Sequence, residues 1–191
     1  PIGPSSMKLW LVRHAKPLIA EGLCYGQLDI AAEPSATQQA AIKIAPLLPK
    51  NAMLYSSGLQ RARQLAQAIQ SERDDLSHQI DPRLNEINFG AWEGVAWNAI
   101  PKSAFDAWTA DFGLHRFGDV ESTQDLLIRI RQALDELPVN RDAVWITHAG
   151  VIRAVHYLQT NHSTLIAAAN QWPVEAPAFG EWQCLNIFVK P

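Results

Sequence analysis

A chain of 191 residues with 48% hydrophobic and 18% charged residues can bury one substantial α/β core, and has little room for two. Its net charge of −3 gives no global attraction to nucleic acid or an anionic membrane, so an anionic ligand would need a local cluster of basic groups. No apolar run approaches the ~18 residues of a membrane span. In chain order, Pro1 to Ser6 (PIGPSS), ahead of Met7, reads as a cloning remnant and is set outside the fold. Lys8 to Val12 (KLWLV) is a short apolar run that stops at Arg13-His14, the pattern of a buried strand with polar residues at its carboxyl end. A helix is expected from about Ser35, with Gln38 placed for a capping box, and ends or kinks near Pro46. Ala52 to Tyr55 predicts a second strand, and Ser56-Ser57-Gly58 after it suits a helix start. That helix buries Ala62, Leu65, Ala66 and Ile69. Segment 92–120 is rich in Trp, Phe and Gly and weak in periodicity, and reads as an insertion with short helices that forms a cover. Ser122 and Asp125 form a second capping box, opening a helix that buries Leu127, Ile130, Leu134 and Leu137. Ala143 to Thr147 predicts a third strand, ending at His148, with a helix from about Val151. Trp182 to Val189 predicts an edge strand.

Strands alternating with helices predict a three-layer α/β/α fold with a mostly parallel central sheet, and residues 7–191 form one domain. Ligands of such sheets bind beyond the carboxyl ends of the strands. Arg13-His14, the helix entrance before Arg61, and His148 would meet there. No charged-then-apolar leader precedes the first strand, so a cytoplasmic protein is expected. Cys24 and Cys184 lack CxxC spacing and are expected as free thiols. There is no HExxH, cysteine pair or Asp-rich cluster for a metal, and no GxxxxGK[ST] or GxSxG, so no cofactor is expected.

Six segments in order resemble the histidine phosphatase (phosphoglycerate mutase-like) superfamily. They are LVRHAKP (11–17), CYGQLD (24–29), YSSGLQRARQLA (55–66), LNEINFGAWEG (84–94), VESTQDLLIRI (120–130) and VWITHAGVIRA (144–154). Short length, the FGAWEG run and the tail from Trp172 to Cys184 look most like α-ribazole phosphatases. The resemblance implies a phosphoglycerate mutase-like fold and a phosphomonoesterase acting on a small phosphorylated metabolite, with room for a homodimer. It implies His14 as nucleophile, Arg13, Arg61 and His148 as phosphate clamp, and Glu86 as proton donor. Gly26, Gln27 and the Ala149 amide would contact phosphate. These residue types suit the chemistry. Phosphoryl transfer spreads charge over three oxygens, which planar, permanently charged arginines can hold. A neutral imidazole attacks well once its second nitrogen is fixed by an acceptor.

Several positions depart from the family pattern. Ala15 replaces the Gly after the nucleophile, which requires φ below zero there. Lys16-Pro17 replaces Glu-Thr, and Ala20 replaces an Asn, shifting one phosphate contact toward Gln27. His78, His115, His156 and His162 lack motif support, although His115 and Arg116 are the basic residues of the insertion placed to approach substrate. Trp10 and Trp145 are expected in the core, while Trp92, Trp97 and Trp108 divide between packing and stacking on a ligand. A mutase would need more cations around the site than Lys102, His115 and Arg116. A non-catalytic binding module would lack one of the two histidines.

Overall fold

The computed structural model of the protein describes residues 6–188. Its centre is a five-stranded sheet of β1 (Ser6–Arg13), β2 (Met53–Ser56), β3 (His78–Ile80), β4 (Ala143–Thr147) and β5 (Trp182–Phe188). The spatial order is β3-β2-β4-β1-β5. The first four strands are parallel, and β5 runs antiparallel along the edge of β1. Strand alternation sends side chains to two faces. Leu9, Leu11 and Trp145 pack with α4 (Thr123–Asp135) and α5 (Ala149–Asn161). Val12, Leu54, Val144 and Ile146 pack with α1 (Pro34–Ile44) and α2 (Gln60–Glu72). The layers are therefore α/β/α, as the strand and helix alternation predicts.

Differences lie mostly at element ends. Ser6 is the first residue of β1 and pairs with Phe188, so the strand continues as far as β5 runs beside it. Residues 1–5 and Val189 lie outside the described residues. The first helix is capped by Glu33, whose carboxylate accepts from the Ser35 and Ala36 amides at 3.0 and 2.5 Å. Gln38 instead reaches Glu72 at 3.4 Å. Ser122 and Asp125 do form the expected reciprocal box. β3 carries no apolar run, and its three residues are too few to show a period in the sequence.

Between Gly90 and Val120 lie two short 3-10 turns (Gly90–Trp92 and Trp97–Ala99) and α3 (Lys102–Ala110). Their aromatics pack chiefly on one another. Phe117 is buried, with Trp108 stacked on it at 4.5 Å between ring centres and Trp97 at 6.4 Å. Among the described residues, no helix is long and apolar enough to cross a membrane.

Candidate active site

Parallel pairing in the order β2-β4-β1 brings three strand ends side by side. His14, His148 and Ser57 each follow directly on one of them. Arg13 pairs with Thr147 in register, which sets the imidazoles of His14 and His148 with their centroids 5.1 Å apart. Both rings are buried, 2% and 1% exposed. They line a cavity of about 230 Å³ with Arg13, Leu23, Tyr25, Arg61, Glu86, Phe89, Trp97, Ala149 and Arg153. A groove beside Tyr55, Asp81 and Arg83 is larger, at about 380 Å³, so chemistry rather than volume singles out the site.

His14 Nδ1 lies 2.7 Å from the carbonyl oxygen of Ala15. Only an N–H can meet a carbonyl, so Nδ1 carries the proton and Nε2 keeps its lone pair. Ala15 is not among the residues with positive φ, so its methyl is accommodated where the family has Gly. Burial, then Arg61, then Arg13 push the His14 pKa down to about 3, against the pull of the Ala15 hydrogen bond. His148 is pushed well below its ordinary value by burial and by His14, Arg61, Arg129 and Arg13. Both imidazoles are neutral near pH 7.

His148 Nε2 lies 2.7 Å from Ser57 Oγ. That hydroxyl also accepts from the Leu59 amide at 3.3 Å, and keeps both its hydrogen and a second lone pair for the imidazole. This is why the serines do not cap the helix after them. The cap position is Leu59, and the acceptor for the Gln60 amide is Asp29 Oδ1 at 2.7 Å.

Arg61 is 0% exposed in the first turn of α2. Its two Nη groups donate to the carbonyls of Leu28 (2.7 Å) and Gly26 (2.5 Å). Arg13 donates to Pro177 O at 3.0 Å and stacks on Phe179, 4.1 Å from ring centre to guanidinium carbon. Burial lowers the pKa of both guanidiniums, and Tyr25 and Glu86 oppose it, so they remain charged. The Nε atoms of Arg13, Arg61 and Arg153 and Nδ1 of His148 are all buried without a hydrogen-bond partner among the described residues. Buried donors normally find acceptors, so three guanidinium N–H groups without one, on residues that line a single cavity, mark it as the candidate anion site.

Glu86 enters from the opposite rim, after a 3-10 turn (Pro82–Leu84) capped by Asp81. Its carboxylate accepts from the amides of Ile87 and Gly150, each at 3.0 Å. A Cβ at position 150 would lie 2.2 Å from Glu86 Oε1, so only glycine admits the carboxylate there. Arg129 of α4 donates to the carbonyls of Arg83, Asn85 and Glu86, and pairs with Glu121 at 2.9 Å. Ala149 opens α5, where the first amides have no intrahelical partner.

The loop Gly26-Gln27 departs from expectation. Neither residue lines the cavity, and their amides donate to the Glu93 carboxylate at 2.9–3.1 Å. The neighbouring Tyr25 and Leu23 face the site instead. Trp108 is likewise absent from the lining, held between Phe112 and Phe117, whereas Trp97 belongs to it. Arg116 is engaged by Asp125 and Val120 O, and neither it nor His115 lines the cavity. Phe89 and Arg153 are site residues that the sequence alone does not single out. Arg153 lies one helical turn after Ala149, a spacing that could have flagged it.

The buried neutral histidines make acid stability a direct test. Between pH 6.5 and about 3 an unfolded chain protonates these imidazoles while the folded protein does not. Stability is therefore expected to fall as the pH falls through that window, by up to about 1.4 kcal/mol per pH unit for each histidine. Urea unfolding at pH 7 and pH 5 checks this, with His14→Asn losing less on acidification than the parent. Equal losses would mean that His14 titrates alike folded and unfolded.

Comparison with known proteins accords with this geometry. Residues 9–171 match the family model of the histidine phosphatase superfamily, branch 1. A Hydrogenobacter thermophilus protein, provisionally named phosphoserine phosphatase 2, is 30% identical over 87% of this chain and 83% of its own. Phosphoglycerate mutase-like protein 4 of Arabidopsis thaliana is 30% identical over 76% of this chain and 68% of its own. The crystal structure of TTHB049 from Thermus thermophilus is 35% identical, with TM-score 0.64, covering 78% of this chain and 82% of that one. The strand-end histidines, the arginines around them and the match along most of the chain lead to one assignment: the protein belongs to the histidine phosphatase superfamily, branch 1.

Proposed function

We propose that the protein is a metal-independent phosphomonoesterase of the cytoplasm that forms a phosphohistidine at His14. The observation that carries this reading is the His14 ring, with Nδ1 bound to Ala15 O and Nε2 left unprotonated among cationic side chains. The Nε2 lone pair attacks phosphorus while the ester P–O bond breaks, and Glu86, which enters this step as the carboxylic acid, gives its proton to the leaving oxygen. Arg13, Arg61 and His148 hold the non-bridging oxygens, with the Ala149 amide as a further donor, and the Ala15 carbonyl steadies the cationic ring formed on attack. Glu86, now a carboxylate, takes a proton from water as that water attacks phosphorus. The N–P bond breaks, and inorganic phosphate and neutral His14 result.

The finer reading is a nucleoside-like leaving group, with α-ribazole 5′-phosphate first. Phe89 and Trp97 support it as aromatic surfaces of the cavity, and so does the resemblance of the FGAWEG run and the 172–184 tail. Stacking on a flat base is worth roughly 1–3 kcal/mol. A substrate with a carboxylate beside its phosphate is the second reading, favoured by Arg153, a cation beyond the proposed clamp. The test is kcat/KM, in the presence of EDTA, for α-ribazole 5′-phosphate, phosphoserine and 3-phosphoglycerate. The ribazole ester is expected to be preferred, and Trp97→Ala to raise its KM more than that of a small alkyl phosphate. Preference for either acid would overturn the finer reading, and activity that needs added divalent metal would overturn the mechanism.

A further inference from the structure

We propose that Glu93 is a positioning residue for Arg61, acting through the peptide bond between Gly26 and Gln27. The Glu93 carboxylate is surrounded by backbone donors. It accepts from Gly26 N (2.9 and 3.1 Å), Gln27 N (2.9 Å), Leu28 N (3.2 Å) and Phe89 N (3.0 Å). On the other side of the same loop, the carbonyls of Gly26 and Leu28 accept the two Nη groups of Arg61. One peptide unit therefore joins the two side chains: its N–H, on Gln27, points to Glu93, and its C=O, on Gly26, receives Arg61.

This arrangement has two physical consequences. A carboxylate on the N–H side of a peptide draws its dipole into line and strengthens the carbonyl as an acceptor. The guanidinium is thus held by its Nη edge, and its buried Nε, which has no partner among the described residues, is the donor left over. Gly26 makes the approach feasible, since a Cβ there would lie 1.8 Å from the Ile87 carbonyl oxygen and 3.0 Å from Glu93 Oε1. The bonds from the Gly26, Gln27 and Leu28 amides tie this loop to the segment that carries Glu86, Phe89 and Glu93 itself, and the bond from Phe89 N holds the carboxylate in place within that segment. Glu93 thereby fixes the spacing between the arginine and acid sides of the cavity, although it does not line the cavity itself.

The inference rests on the phosphatase reading, and wild-type hydrolysis of a phosphomonoester is the control that separates the two. If the wild type is inactive, that reading fails first. In an active enzyme, Glu93→Gln replaces acceptor oxygens by an amide that cannot satisfy all these N–H groups. It is expected to lower kcat/KM by roughly 10- to 100-fold and to weaken competitive inhibition by inorganic phosphate. The decisive measurement is a double-mutant cycle with Arg61→Ala. In the Arg61→Ala background, Glu93→Gln is expected to cost less than about 3-fold, because the group it positions is gone. Equal losses in both backgrounds, or a lowered Tm with unchanged kcat/KM, would overturn the proposal. Glu93→Asp keeps a carboxylate one methylene short, and carries the same cycle if the glutamine variant does not fold.

Discussion

His14→Ala is expected to lower kcat/KM by on the order of 10⁴- to 10⁶-fold, the largest loss of any single substitution in the site, as for removal of a covalent nucleophile elsewhere. The argument is geometric. Nδ1 is committed to Ala15 O, so Nε2 is the atom that attacks in the proposed mechanism, and a pKa lowered to about 3 keeps it unprotonated near pH 7. Rapid quenching of wild-type turnover with labelled substrate should trap phosphate on protein that alkali preserves and acid releases. The adduct should map to His14 and be missing from His14→Ala. A variant that retains near-parental turnover, or an adduct on another residue, would remove His14 from the chemistry.

Glu86→Gln is expected to lower kcat by on the order of 10²- to 10⁴-fold for alkyl phosphates, the range for loss of a general acid. The loss should be much smaller for p-nitrophenyl phosphate, whose leaving group departs without a proton. Glutamine keeps the shape and can still accept from the Ile87 or Gly150 amide, so a selective loss reports proton transfer rather than collapse of the site. Gly150→Ala should reproduce part of the defect by driving a methyl against the Glu86 carboxylate. Equal losses for alkyl and aryl substrates would assign Glu86 a different role, such as fixing Arg13 and Arg61 by charge.

Much of this site is legible in the chain because its parts sit at the ends of strongly patterned elements. The runs KLWLV and AVWIT are apolar enough to be buried strands, and the polar residue that ends each is placed by the strand itself. His14 and His148 are therefore legible together. So are Ala62, Leu65, Ala66 and Ile69, whose spacing marks the buried face of α2. What local pattern does not reveal are acceptors contributed from far along the chain. Asp29 caps a helix 31 residues later, Glu93 binds amides 65 to 67 residues earlier, and Pro177 holds Arg13 across 164 residues. These partners obey no period. The loop Gly26-Gln27 is expected at the ligand on sequence grounds, yet its amides face Glu93, because a carboxylate from another loop reaches them.

The sequence by itself determined four of the five strands and the helices that bury a periodic face, and placed the two histidines at strand ends, since burial and periodicity are local properties of the chain. Only the tertiary structure decided which donors remain unsatisfied and which aromatics face the cavity. Trp97 lines it while Trp108, eleven residues on, is stacked between Phe112 and Phe117. Ser57 serves His148 rather than a helix, and Arg153 stands beside Arg13. Each of these outcomes depends on which atoms come within hydrogen-bonding or van der Waals range once the layers have packed, and that competition is settled between distant segments rather than within any one of them.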